Sequence, residues 1–230
     1  MNNEVLPIIT IDGPAGVGKT TLARMLSEDL DIPCLDTGAM FRFVALELGG
    51  QGLALADDEL DNRLAHLDFK MHGTGKNAIL YCNNIPTSDS LRTEEISSLA
   101  SRLSARLPVR KRLLQAQQEI GNSRALVTEG RDMGTAIFPA AALKFYLDAS
   151  PQIRARRRWQ QLREKGENIS LNELEENIRA RDNRDLNREL APLKAAPDAI
   201  LINTDNLDLA QAYSKIRSMV EPYKSLFKRQ

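Results

Sequence analysis

Gly13-Pro14-Ala15-Gly16-Val17-Gly18-Lys19-Thr20 spells GxxxxGK[ST] in full, and its flanks decide how it folds. Ahead of it, Pro7-Ile8-Ile9-Thr10-Ile11 is a short β-branched run bounded by Pro and by Asp12-Gly13, the pattern of a buried parallel strand. Behind it, Leu22, Ala23, Met25, Leu26 and Leu30 recur at helical spacing and predict a helix over Lys19–Leu30. Strand, Gly-rich turn and helix in that order are the context a phosphate-binding loop requires. The glycines let backbone N–H groups converge on an anion without interference from Cβ, and the helix N-terminus adds its positive dipole end. Lys19 would bridge the β- and γ-phosphates of a bound triphosphate, and the Thr20 hydroxyl would reach Mg²⁺.

Working outward, residues 32–35 predict a second strand. Asp36 or Thr37 then caps a helix carrying Met40, Phe41, Val44, Ala45 and Leu48, which Gly49-Gly50 stops. The next stretch changes character: 67–72 and 78–82 predict a hairpin, and 85–88 reads as loop. Helices follow over 94–106 and 109–120, with Pro108 between them. A local antiparallel hairpin is foreign to an α/β alternation, so 61–101 reads as an insert within one domain spanning 1–230. Alternation resumes with strands over 125–128 and 143–147, polar helices over 154–165 and 171–188 hinged at Gly166, a strand over 199–202 and a helix over 207–227. The expected fold is doubly wound α/β: five parallel strands, helices on both faces, and the active site along the strand C-termini.

The 230 residues are 42% hydrophobic and 27% charged, which excludes wholesale disorder and fibrous architectures. The 31 basic residues balance 31 acidic ones, so coating nucleic acid or an anionic membrane is not the expected work. Cys34, Cys82, His66 and His72 are too few for a disulfide framework or a zinc cluster, and a reducing compartment is expected. The N-terminus MNNEVLPIITID has no leader pattern and no stretch reaches the length of a membrane span, so a cytoplasmic, soluble protein is expected.

Phosphate loops serve motors, switches, helicases and kinases, so the loop alone leaves the reaction open. The arginines narrow it. Bringing two phosphorylated substrates together needs fixed cations against their repulsion, and Arg grips phosphate bidentately. Lys19, Arg42, Arg131, Arg157, Arg158, Arg181, Arg184 and Arg188 fall at strand ends or on the polar helices. Arg181, Asp185 and Arg188 share one helical face, although a solvated charged helix explains that pattern equally well. Arg154, Arg156, Arg157 and Arg158 could instead be an RNA patch, an idea weakened by Glu164, Glu167, Glu173, Glu175 and Glu176 nearby.

Six stretches together resemble bacterial cytidylate kinases, the CMP/dCMP branch of the nucleoside monophosphate kinases. They are ITIDGPAGVGKTT, LDTGAMFR, SRLSARLPVRKRLLQAQ, TEGRDMGTAIFP, KFYLDASPQIRARRRWQQLREKG and RDNRDLNRELAPLKAAPDAILINT, in the family's order and across nearly the whole chain. The first is generic to phosphate-loop proteins, whereas EGRDMGT and RDNRD…PL…APDA are much more specific. The resemblance implies a phosphate-loop fold with a nucleoside monophosphate-binding insert, an Arg-rich lid over 151–188, and Mg²⁺-dependent transfer from ATP to CMP or dCMP.

Residue by residue, it implies that Gly13, Pro14, Ala15, Gly16, Val17, Gly18, Lys19, Thr20 and Thr21 hold ATP. Arg42, Arg131 and Arg188 would hold the CMP phosphate, and Thr37 would belong to the CMP site; Ser101, Arg110 and Asp132 would read cytosine; Asp185, supported by Arg181, would take the ribose. Arg157 and Arg158 would cover the transferring phosphoryl group. The chemistry agrees: Arg110 only donates and suits cytosine N3 and O2, while Ser101 and Asp132 can accept from N4. Phe41, Gln118 and Asn203 stand where the family commonly has Tyr, Arg and Asp, and none of these changes removes a cation from the expected site. Small-molecule substrates and a monomer are expected. The rivals are a phosphate-loop kinase for another acceptor and an ATP-switched binding protein.

Overall fold

A computed structural model of the chain describes residues 6–164, 166–167 and 169–227. Lys165, the expected end of the first polar helix, and residues 1–5 of the N-terminal reading lie outside that set. Strand β1 (Ile8–Asp12) is buried at every position and runs straight into the Gly-rich loop and helix α1 (Lys19–Leu30). It sits at the centre of a five-stranded sheet of order β2-β6-β1-β7-β8, every pairing parallel. The partners are β2 (Cys34–Asp36), β6 (Leu126–Gly130), β7 (Leu143–Asp148) and β8 (Ile200–Asn203). A strand covered on both faces must be apolar on both, which is why β1 reads Ile-Ile-Thr-Ile without alternation.

The sheet separates two apolar cores. On one side Ile9, Ile11 and Phe145 pack with Leu22 and Leu26 of α1 and with Ile216 of α8 (Leu209–Val220). On the other, Ile8 and Leu126 pack with Met40 of α2 (Thr37–Leu48) and Leu113 of α5 (Leu107–Ser123). The result is the three-layer α/β fold expected from the alternation. The loop stays close to β7: a Cβ on Gly13 (φ 148°) would lie 2.2 Å from the Leu147 carbonyl oxygen.

A second sheet, β3 (Phe69–His72), β4 (Ile79–Cys82) and β5 (Ile85–Pro86), is antiparallel and stands apart from the first. Several boundaries differ from expectation, three of them with a clear local cause. Residues 85–86 are a short strand rather than loop, paired with Tyr81 and Cys82. Pro108 lies in the first turn of α5, where a missing N–H costs nothing, so it starts that helix rather than separating two. The closing helix breaks after Val220 at a 3₁₀ turn containing Pro222, and α9 (Lys224–Phe227) follows.

Helix α3 (Asp57–Leu64), α4 (Glu94–Leu103), α6 (Pro151–Glu164) and α7 (Leu171–Asn187) complete the fold. The last two share a small core of their own built on Ala155, Leu162, Leu174 and Ile178. Both cysteines are free. Burial pushes their thiols up, that of Cys82 to about 12 and that of Cys34 further still.

Candidate active site

A cleft of about 620 Å³ opens where the loop, the C-terminal ends of the parallel strands and the polar helices meet. At its root Lys19 curls over the loop, its Nζ donating to the Pro14 carbonyl at 2.8 Å. Burial, together with Arg131 nearby, drives the Lys19 ammonium down to about 7. Thr20 Oγ1 donates to Glu129 Oε1 at 2.8 Å, tying the start of α1 to the end of β6. Burial and then the neighbouring Asp36 carboxylate push the Glu129 carboxyl up.

The end of β6 delivers the densest set of charges. Glu129, Gly130, Arg131 and Asp132 follow one another out of the sheet, and alternate side chains of an extended chain point to opposite sides. Arg131 Nε donates to Asp185 Oδ2 of α7 at 2.8 Å. Asp132 pairs with two arginines: Arg188 donates to its Oδ1 at 3.0 Å and Arg110 of α5 to its Oδ2. Arg188 is fixed again by the Ala191 carbonyl, 2.6 Å from its Nε. The chain past Asp132 is anchored by Asp12, whose two oxygens accept from the backbone N–H groups of Met133 (2.9 Å) and Gly134 (2.8 Å) in a π-helical turn, Met133–Ile137.

Three side chains on the cleft wall have buried polar atoms without a partner among the described residues: Arg42 Nε, Ser101 Oγ and Arg181 Nε. Burial, then repulsion from Arg131, lowers Arg181 to about 10. Nearer α2, Asp36 caps the helix by accepting from Ala39 N–H at 2.9 Å, and it also takes Arg42 at 3.1 Å and Arg92 at 2.6 Å.

Most residues singled out in the sequence line this cleft: Ala15 to Thr21, Thr37, Arg42, Ser101, Arg131, Asp132, Arg157, Arg158, Arg181, Asp185 and Arg188. Gly13 and Pro14 lie at the root of the loop, and Arg110 reaches the cleft through Asp132. Thr37 spends its hydroxyl on the Glu129 carbonyl at 2.8 Å. Arg157 is engaged with Thr204 and Leu207 carbonyls, and Arg158 with Glu94 at 2.6 Å. Of the departures, Phe41 lines the cleft, Gln118 donates to the Ile137 carbonyl at 3.4 Å, and Asn203 accepts from Asp205 N–H at 2.8 Å.

Sequence reading missed Asp12, Arg92, Glu94 and Glu129, and saw Asp36 only as a helix cap. Their signal was weak but present: each carboxylate opens a helix or lies at, or one residue before, the end of a strand. Arg154 proves to be internal, tied to Asp182 at 2.5 Å and to the Ala15 carbonyl at 3.0 Å, so it cannot belong to a surface patch for RNA.

A glycine-rich loop heading an open parallel sheet, facing a cleft ringed by arginines, defines a phosphate-loop phosphotransferase. Comparison with known proteins narrows the class. A family model described as cytidylate kinase matches residues 9–222. The cytidylate kinase of Nitratidesulfovibrio vulgaris strain Hildenborough is 49% identical over 92% of this chain and 91% of its own length. That of Oleidesulfovibrio alaskensis is 47% identical over 93% of this chain and 98% of its own. The chain belongs to the cytidylate kinase family. Among solved structures, an uncharacterized protein from Eubacterium ventriosum covers 94% of this chain and 98% of its own at a TM-score of 0.51 and 14% identity, a likeness of fold alone.

Proposed function

We propose that the protein transfers the γ-phosphoryl group of ATP to the phosphate of CMP or dCMP. The observation that carries this reading is the Ser101 hydroxyl, buried in the cleft wall without a partner among the described residues, in the same cleft as Asp132 and the phosphate loop. Cytosine N4 donates to two acceptors, and Asp132, although paired with Arg110 and Arg188, keeps lone pairs for it. A carboxylate there repels uracil O4, so the wrong base leaves buried polar groups unsatisfied.

The acceptor phosphate is already an ionised nucleophile, so no general base is required and catalysis consists of alignment and charge neutralisation. Lys19 takes the donor phosphates; Arg42, Arg131 and Arg188 take the acceptor phosphate; Asp185, held by Arg131 and with Arg181 behind it, takes the ribose. Mg²⁺ suits the hard oxygens of Thr20 and Glu129, 2.8 Å apart, and no cluster of three His, Cys, Asp or Glu among the described residues could hold a metal by itself, so the ion enters with ATP. When bound it neutralises charge on the β- and γ-phosphates.

The segment 61–101 serves as the acceptor-binding insert, and α6 with α7 serves as the lid. The separate core of those two helices supports motion as one body. On closure Arg157 and Arg158 exchange protein oxygens for phosphate oxygens, and water is excluded. Among the described residues no helix is long and apolar enough to cross a membrane, and we infer a cytoplasmic monomer that binds no nucleic acid. The test is ADP formation from ATP·Mg²⁺ with CMP, dCMP, UMP, AMP and GMP in turn. Fast turnover restricted to CMP and dCMP is expected; a rate no faster than without acceptor would overturn the reading in favour of an ATP-switched binding protein.

A further inference from the structure

Two arginines converge on Asp36, the N-cap of α2. Asp36 is a single carboxylate shared by two guanidiniums, Arg42 from α2 and Arg92 from the segment after the small sheet, at a helix N-terminus. Gly38 makes the crowding possible, since a Cβ there would stand 2.9 Å from Arg42 Nη1 and 3.1 Å from Asp36 Oδ1. Arg42 Nε is buried and has no partner among the described residues, so the site holds a donor that a bound phosphate could satisfy. Both arginines line the catalytic cleft.

Arg92 is also fixed to the helix that bears Ser101. It directly precedes Thr93, the N-cap of α4, whose hydroxyl accepts from Ile96 N–H at 3.2 Å. Seven helical rises, about 10 Å, separate Glu94 from Ser101 along α4. That is comparable to the reach of a mononucleotide from base to phosphate. One helix therefore presents a base-facing hydroxyl and, at its start, a cation.

We propose that Arg92 is a further guanidinium for the acceptor's phosphate, added to Arg42, Arg131 and Arg188, supplied by the insert and held in position by Asp36 beside Arg42. The proposal rests on the acceptor being a cytidine monophosphate. It makes the insert a phosphate reader as well as a base reader, so that an acceptor lacking the phosphate loses contacts to both halves of the cleft at once.

The test compares CMP with cytidine by calorimetric titration of the wild type, Arg92→Ala and Arg92→Gln, each checked for a cooperative thermal transition. Gln keeps a donor for Asp36 while removing the charge, so one variant remains interpretable if the other does not fold. Loss of charge-assisted hydrogen bonds weakens CMP on the order of 10- to 100-fold and leaves cytidine unchanged. Arg92→Lys recovers part of the CMP affinity as a point charge without the fork. Equal losses for CMP and cytidine, or no loss for either, would overturn the proposal and leave Arg92 a tie between insert and core. A wild type that binds CMP no better than cytidine overturns the acceptor assignment as well, and is recognisable because no variant is needed to see it.

Discussion

Asp12 stands at the last position of the central strand and does structural work that a count of acidic residues would never single out. Its carboxyl bridges two consecutive backbone N–H groups and so fixes where the chain turns immediately after Asp132. Burial raises its pKa from 3.8 to about 6, against the opposing pull of those two N–H groups. Because the folded state then binds the proton more tightly than the unfolded chain, the contribution of Asp12 to stability is greatest below pH 3.8 and falls as pH rises to about 6. The difference in unfolding free energy between wild type and Asp12→Asn, followed by urea titration across that range, is expected to decline over this window and level off above it. A flat difference would mean that the carboxyl titrates normally. Nothing in the sequence distinguishes Asp12 from the Asp that ends many strands. Its role depends on a turn 121 residues further along the chain.

At the scale of elements, α6 shows how a polar helix is anchored. Arg154 reaches the end of β7 through the Ala149 carbonyl (2.8 Å), the phosphate loop through Ala15 and α7 through Asp182. Arg154→Ala leaves Asp182 buried without its counter-charge and is expected to cost about 3–5 kcal/mol. Arg154→Met with Asp182→Leu should recover much of that stability, measured by urea unfolding. ATP affinity should stay weakened in both variants, because the Ala15 carbonyl loses its donor in each.

The parallel strands and α1 were legible from β-branched runs and helical spacing, and the phosphate loop from its motif. Four arginines within 154–158 were not separable, since spacing does not say which of them meets a buried partner. Helix α3 escaped notice because Asp57-Asp58-Glu59 opens it and only Leu60 and Leu64 are buried, too short an apolar pattern to register. The charged centre was half legible: the cations stood out, while the carboxylates that aim them did not. A carboxylate that positions an arginine has the same composition as one that merely solvates a surface.

Across the whole molecule, the cleft of about 620 Å³ lies between the α6–α7 pair and the body of the fold, and Arg157 and Arg158 are both engaged with protein oxygens. For those guanidiniums to reach ATP they must give up these partners, which a movement of the two helices would bring about. A non-hydrolysable ATP analogue together with CMP is therefore expected to reduce the radius of gyration in small-angle X-ray scattering more than either alone. An unchanged radius with both bound would argue that the described arrangement is already the closed one.

The two cysteines bear on how such motion could be followed. Their thiols are held so far from ionisation that, at neutral pH, neither offers the thiolate that maleimides and disulfide reagents attack. The folded chain is thus expected to react slowly with such reagents. A single cysteine introduced on the outer face of α7 and another on α1 would carry a pair of fluorophores with no need to remove any native residue, and the same inertness should let the unlabelled protein withstand mild oxidants without losing its fold.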